Sequence, residues 1–554
     1  MKKSFWIFAA LIFAFILIRL PGLSLPYHQD EYKTAAAASG GAVAAGQAFA
    51  HPPLTQILYR IAAGTFGSGG MRGFILCFAV LEASLLYFVV RRRAGERAAL
   101  FSLFLFTICA YSIHASLMLD TDGAILPFFY LLALYFYDSF QAGVGKKKYV
   151  FGSLLLATLI AGFLVKLSFV LVIGAIALDF LWQYRNHLTK RRIIYAGLSL
   201  FGFFALALAL IIIIRDLYPV FNSDAMVAHA LSFMHLAGRG YMQTLIQALK
   251  ACFYLSPLLI LPILFVDRDV FQKTRVLFIH LALGFLFYFV LFDFSSGALD
   301  KYLMFAVIPL SAICGVALAR IISAQDLARN KIAVISGVIL GALLFAINFL
   351  PHMALALYPK SAWFANVLHL KWNMLLPFTG GSGPLGFYVS FLFIIIAFFI
   401  SAAIAAIALY KKEWRESMMI VLVIFCLFYN VIFAEEYLFG RIFGSAPAAL
   451  NGAIAFIKSS PEIKGIITYS DAGAYDLYRM GKYAGRFYAV PGYEESHRVL
   501  FADHRDSVYF LVVDMPKLWE PSFYKTFFDS CVVVFQDRSG EIPAYVYDCR
   551  AIKK

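Results

Sequence analysis

Apolar runs of membrane-spanning length recur along most of the chain, separated by short loops that are basic or acidic in turn. The first run, residues 1–23, opens on Lys2-Lys3 and is long enough to span, and no small-residue cleavage site follows it. A second, about 71–90, ends at Arg91-Arg92-Arg93. Runs at about 98–114 and 123–137 bracket the sequence LMLDTDG and stop before Lys146-Lys147-Lys148. One long apolar region, 149–182, is interrupted by Lys166 and closed by the basic stretch 185–192. Later runs end at Arg215-Asp216, at Asp267-Arg268, at FDFSSGALDKY and at Arg320, and the last two flank the basic turn 411–415. Basic loops stay on the cytoplasmic side. The pattern therefore predicts about thirteen spans, with the N-terminus cytoplasmic and the C-terminal part outside.

From about Glu435 the pattern changes. GIITYS, VYFLVV and SCVVVF read as strands set among polar segments, with a helical stretch near 451–459. The predicted fold class is an α-helical polytopic membrane protein carrying a small C-terminal α/β extracytoplasmic domain. The membrane part covers 1–434 and the outer domain 435–554, which is large enough to bury a core of its own. That domain holds no phosphate loop, dinucleotide fingerprint or zinc spacing, so its predicted task is to cover the outer mouth of the membrane part.

Composition supports the membrane assignment: 62% of residues are hydrophobic and 14% charged, which excludes an ordinary soluble protein. The net charge of +15 would suit a nucleic-acid partner, but 14 Lys/Arg face 15 Asp/Glu from Ala434 onward. The excess thus sits in loops between spans, where it sets topology, and no nucleic acid is implied. Five of the seven cysteines lie in apolar segments as packing residues. Cys531 and Cys549 lie in the polar tail, where they form either a pair in an oxidising compartment or two free thiols.

Candidate chemistry concentrates between the first two spans, in YHQDEYK and in the His51-Pro52-Pro53 turn. Asp30 and Glu31 are either residues of a solvated loop or a carboxylate pair that activates a hydroxyl beside a departing phosphate. Asp30 is the candidate base, and Glu31 shares that role, orients the acceptor or helps to bind a metal. Lys33, Arg60, Lys166 and Lys301 fall in outer loops or at span ends. There they either snorkel to the interface or gather at a phosphate head group and offset its charge. His51 binds phosphate or caps a rigid turn. Asp120 and Asp122 share the predicted outer side and form a second acidic site or a solvated loop.

In order along the chain, DEYK (Asp30 to Lys33), HPPL (His51 to Leu54), TDG (Thr121 to Gly123), Lys166 and KYLMFAVIP (Lys301 to Pro309) resemble the C-type glycosyltransferases. Within them the likeness is to the branch of protein O-mannosyltransferases and bacterial aminoarabinose transferases. The resemblance implies transfer of a sugar from a polyprenyl-phosphate donor, with inversion, on the outer side of the cell (inner or plasma) membrane. The acceptor would be a lipid, glycan or protein. It implies that Asp30 is the essential acid, that Lys33, Lys166 and Lys301, with Tyr302 beside it, lie near the donor phosphate, and that Asp122 lines the cavity. The aminoarabinose branch carries Glu-Lys before Pro-Pro where this chain has Ala50-His51, which leaves sugar and acceptor open. No cofactor is fixed by these residues, and a divalent metal stays open. A transporter of envelope precursors is the alternative reading; carriers place ionisable residues at mid-span in repeated halves, and here they cluster at loop mouths.

Overall fold

The structure, a computed structural model, describes residues 2–550 apart from 28, 40–51, 188, 218–222, 233–240, 292–299, 323–329, 351–359, 380–385, 490–492 and 506. His51 and Asp293 lie outside the described residues, as does the side chain of Lys301. Among the described residues nine helices are long and apolar enough to cross a membrane, and two shorter apolar helices, Phe201–Ile214 and Lys331–Ile347, accompany them. The chain is a multi-pass membrane protein. The run expected at 98–114 is two pieces, Glu96–Ile108 and Ala110–Ala115, joined at an extended Cys109 (φ −62°, ψ 123°).

The chain divides into two compact units. The first comprises Met1–Leu23, Thr34–Ile335 and Ala402–Val423; the second comprises Ser24–Lys33, Ser336–Ser401 and Ile424–Lys554. The expected boundary at 435 falls inside the Arg415–Leu438 helix.

In the first unit the Val307–Ile321 helix is the inner one, with every residue from Val307 to Leu318 buried. Its Gly315 lies against the Glu96–Ile108 helix so closely that a Cβ there would overlap both the side chain and the backbone of Ser102. Such close approach of two backbones is how helices associate where lipid removes the hydrophobic driving force. The 3₁₀ segment Asp300–Ala306 leads into this helix, so Tyr302 inherits a fixed position.

The second unit holds a five-stranded sheet with the order β4-β3-β5-β7-β6, where β3 is Ile466–Tyr469, β4 Tyr483–Phe487, β5 Tyr509–Val513, β6 Val532–Ser539 and β7 Ile542–Asp548. The first three are mutually parallel, and β7 runs antiparallel to β5 and β6. Side chains alternate across a strand. In β5, Tyr509, Leu511 and Val513 enter one core together with Ala446, Leu450 and Ile457 of the Ala446–Ser459 helix. Phe510 and Val512 enter a second, aromatic core with Phe501, Tyr524 and Phe528. Helices on both faces explain why β5 is buried at every position. A separate two-stranded antiparallel sheet pairs β1 (Leu375–Thr379) with β2 (Gly386–Ser390). Its Tyr388 hydroxyl donates to Asp514 at 2.6 Å. Cys531 and Cys549 are disulfide-bonded, joining the start of β6 to the end of β7.

Candidate active site

Two clusters of the expected residues are built separately, one in each unit. In the first unit the cluster starts from the turn between Ala110–Ala115 and Ile125–Ala142. Asp120 folds this turn on itself: its carboxylate accepts from the Asp122 amide and the Thr121 hydroxyl, both at 3.3 Å, and its carbonyl accepts from Gly123. Aspartate side chains favour such self-capped turns. Gly123 must be glycine, because a Cβ would run into the carbonyl oxygen of Ala115. Buried Arg72 donates to the Leu117 carbonyl and fixes the near end of the same loop.

Lys166 lies where the Lys146–Val165 helix stops. Its extended backbone (φ −155°, ψ 136°) breaks the helix, and its carbonyl accepts from Phe169 to start the next turn. The Thr55 hydroxyl donates to the Val165 carbonyl at 2.5 Å, so the Pro53–Phe66 helix, which carries half-buried Arg60, is pinned one residue before the lysine.

From that break Lys166 forms an ion pair with Asp122, and the two side chains are only 12% and 7% exposed. Its ammonium also lies 5.3 Å from the centre of the Tyr302 ring, within range of a cation–π contact. A cavity of about 50 Å³ opens beside the pair, lined by Asp122, Tyr130, Ser168, His280, Tyr288 and Tyr302 among apolar side chains. Asp122, Lys166 and Tyr302, separated by long stretches of sequence, are thus brought together. A desolvated ammonium held by one carboxylate is a strong electrostatic partner for an incoming anion, since little water competes for it.

The second cluster is the start of the Asp30–Ala38 helix. Asp30 and Glu31 occupy its first turn, where a carboxylate meets the positive end of the helix dipole. Asp30 pairs with Lys33 one turn on at 3.2 Å, and its side chain stays 49% exposed. Glu31 is 3% exposed. An exposed ion pair holds its partners weakly, whereas Glu31 is enclosed by protein. The two neighbouring carboxylates thus differ in exposure.

Sequence reasoning missed Arg72, His280 and Tyr288. Arg72 follows Met71 at the start of a span, and a cation entering an apolar run was the signal available. His280 sits in the apolar face of the Arg268–Leu286 helix and stacks on Tyr130 at 4.4 Å, with no sequence neighbour to mark it. Among the described residues no group of three or more His, Cys, Asp or Glu side chains converges as a metal site.

The family model for dolichyl-phosphate-mannose-protein mannosyltransferase matches residues 50–212, a stretch that contains Arg60, Asp120, Asp122 and Lys166. The solved structure of ArnT from Cupriavidus metallidurans in the apo state is similar over 99% of both chains, with a TM-score of 0.58 and 14% identity. The same protein bound to undecaprenyl phosphate is similar over 98% of this chain and 97% of that one, with a TM-score of 0.55 and 14% identity. No curated protein matches the sequence. At this identity the likeness concerns the fold.

Proposed function

We propose that this chain, which has the C-type glycosyltransferase fold, moves a sugar from a polyprenyl-phosphate donor to an envelope acceptor on the outer side of the cell membrane. The acceptor is a lipid, a glycan or a protein. In this reading 1–434 is the catalytic membrane part with its N-terminus in the cytoplasm, and 435–554 is extracytoplasmic. The observation that carries it is the Asp122–Lys166 pair beneath Tyr302, a buried charge pair at the break between two apolar helices. Resting stability alone gives little reason to bury such a pair, because the cost of removing two ions from water commonly matches their attraction. An anionic substrate supplies the reason.

The reaction balances as a single displacement. Asp30 takes the proton from the acceptor hydroxyl as that oxygen attacks the anomeric carbon on the face opposite the phosphate. The bond from the carbon to the phosphate oxygen breaks, and polyprenyl phosphate leaves with the bonding electrons. Lys166 meets the charge growing on the leaving oxygen, with Lys33, Arg60, Lys301 and His51 as the further phosphate contacts and Tyr302 holding the lysine. Asp120 and Asp122 accept hydrogen bonds from the sugar. Oxygen donors of this type also suit a divalent cation, although Lys166 already neutralises one of them.

Purified full-length protein assayed with a set of polyprenyl-phosphate sugars tests the reading. The parent is expected to consume at least one donor and release polyprenyl phosphate, and Asp30→Asn is expected to be slower by about 10²-fold or more. Equal rates for the two would remove Asp30 as the base. Passage of intact donor across a vesicle membrane without cleavage would instead make the chain a carrier.

A further inference from the structure

β3 lies between β4 and β5, all three parallel, so the connection from β3 to β4 and that from β4 to β5 carry the chain to opposite sides of β3. The crevice at the carboxyl ends of such strands is where α/β sheets gather functional groups. Here the residues leaving β3 are Ser470 and Asp471, and both have left-handed backbones (φ 52° and 62°) although neither is glycine. Strained backbone of this kind persists where its surroundings over-determine it.

The surroundings are a hydrogen-bond chain. Asp471 is fully buried. Its Oδ1 accepts from the Tyr483 hydroxyl at 3.1 Å, and its Oδ2 accepts from the Tyr488 hydroxyl and the Arg486 guanidinium, each at 2.7 Å. The Tyr483 oxygen in turn accepts from the Tyr32 hydroxyl at 3.2 Å, with the two rings 5.6 Å apart. Tyr27 adds an edge contact to Tyr475 at 5.0 Å. Burial first, and the Asp471 charge second, push the Tyr483 and Tyr488 phenols above their ordinary range, so both remain neutral donors. The carboxylate fixes Tyr483, and Tyr483 fixes Tyr32. Tyr32 is two residues beyond Asp30 in one helix, roughly 200° around its axis, so holding the tyrosine sets the rotation that aims the aspartate. The charge of Asp30 is also felt at Tyr488, on the same network.

We propose that Asp471 is a positioning residue of the transfer reaction, orienting the helix of Asp30 through the Tyr483–Tyr32 hydrogen bond. The C-terminal sheet is then a working part of the catalytic apparatus. This rests on the reading of Asp30 as the base, and the test separates the two. Full-length protein is prepared as Tyr32→Phe, Tyr483→Phe, the double variant, Asp471→Asn and Asp30→Asn, and kcat, donor KM and thermal unfolding are measured for each. Either single Phe variant is expected to lower kcat about tenfold while donor KM and unfolding temperature stay near the parent's. Asp471→Asn is expected to lose about a hundredfold. Both Phe changes break the Tyr32–Tyr483 bond, and Tyr483→Phe also loses the bond to Asp471, so the double variant should be no slower than Tyr483→Phe alone. Parent-like kcat in the single variants, a double variant whose loss is the product of the singles, or losses that follow unfolding temperature would each overturn the proposal. If Asp30→Asn abolishes transfer while the Phe variants match the parent, only the positioning role falls. If Asp30→Asn matches the parent, the assignment of the base falls first.

Discussion

Neutralising the Asp122–Lys166 pair one side at a time, and then on both sides, separates what the pair does for the fold from what it does for the reaction. With 7% and 12% of their side chains exposed, both ions are largely out of water. Lys166→Met leaves a buried carboxylate without its cation, and Asp122→Asn leaves a buried ammonium without its anion. Loss of one partner from such a pair typically costs about 3–5 kcal/mol. Removing both charges together should return most of that, since the desolvation penalty disappears with them. Transfer should behave differently. The ammonium stabilises charge that develops only as phosphate departs, and loss of one such group costs about 10²–10³-fold in rate. The expected pattern is therefore two single variants that unfold earlier than the parent, a double variant that unfolds near it, and transfer lost in all three. Thermal unfolding in detergent and initial rates of donor cleavage on the same preparations read both quantities. A double variant that recovers transfer along with stability would make the pair a structural staple. Single variants as stable as the parent would mean that the ions are not desolvated at all.

The remaining predictions concern packing and the C-terminal sheet. Burial raises Asp514 to about 7, and the bond from Tyr388 only partly offsets this. Its folded-state value lies above its unfolded one, so its contribution is fully present below about pH 4 and is lost as pH rises through 7, by at most about 4 kcal/mol. Asp514→Asn should flatten the dependence of unfolding on pH between 4 and 8, and an unchanged profile would count against it. Reduction of the Cys531–Cys549 disulfide, or its replacement by two serines, removes a short cross-link and should cost the sheet about 3 kcal/mol, seen as faster limited proteolysis of residues 442–550. Gly315→Val forces the Val307–Ile321 helix away from Ser102 and should cost about 1–3 kcal/mol, read as a lower unfolding temperature with the ion pair intact.

Much of this architecture could be read from the chain. Apolar length pointed to about thirteen spans, of which nine membrane-length helices stand among the described residues, and Lys166, flanked by apolar sequence that begins and ends in basic residues, falls at the break between two helices as its position implied. β3, β5 and β6 announced themselves as β-branched and aromatic runs. β4 and β7 did not: YAGRF carries a glycine and an arginine, and IPAYVYD a proline, and both are strands because a neighbour supplies the ladder. The same holds for β1, where Pro377 argues against a strand and is tolerated in a two-stranded sheet. The enclosure of Glu31 beside an exposed Asp30 depends on contacts from distant residues, and so does the anchoring of Tyr32. No local pattern encodes either.

The break at Cys109 shows why hydropathy alone could not place the acidic turn. Nothing in FTICAYSIHA, which has neither proline nor glycine, interrupts a helix. Around the interruption lies Arg19, fully buried at the end of the first span. Its guanidinium donates to the Thr107 carbonyl at 3.3 Å, to Ser112 at 3.0 Å, to Ser116 at 2.5 Å and to the Phe15 carbonyl at 3.1 Å. A cation in an apolar bundle must find acceptors, and most carbonyls within a helix are already engaged by the N–H four residues on. Ending the Glu96–Ile108 helix at Cys109 releases the Thr107 carbonyl, and restarting it as Ala110–Ala115 turns two serines toward the same charge. The redirected segment then runs into the Asp120–Gly123 turn. One arginine far away in sequence thereby satisfies its own buried charge and sets the approach of the loop that presents Asp122 to Lys166.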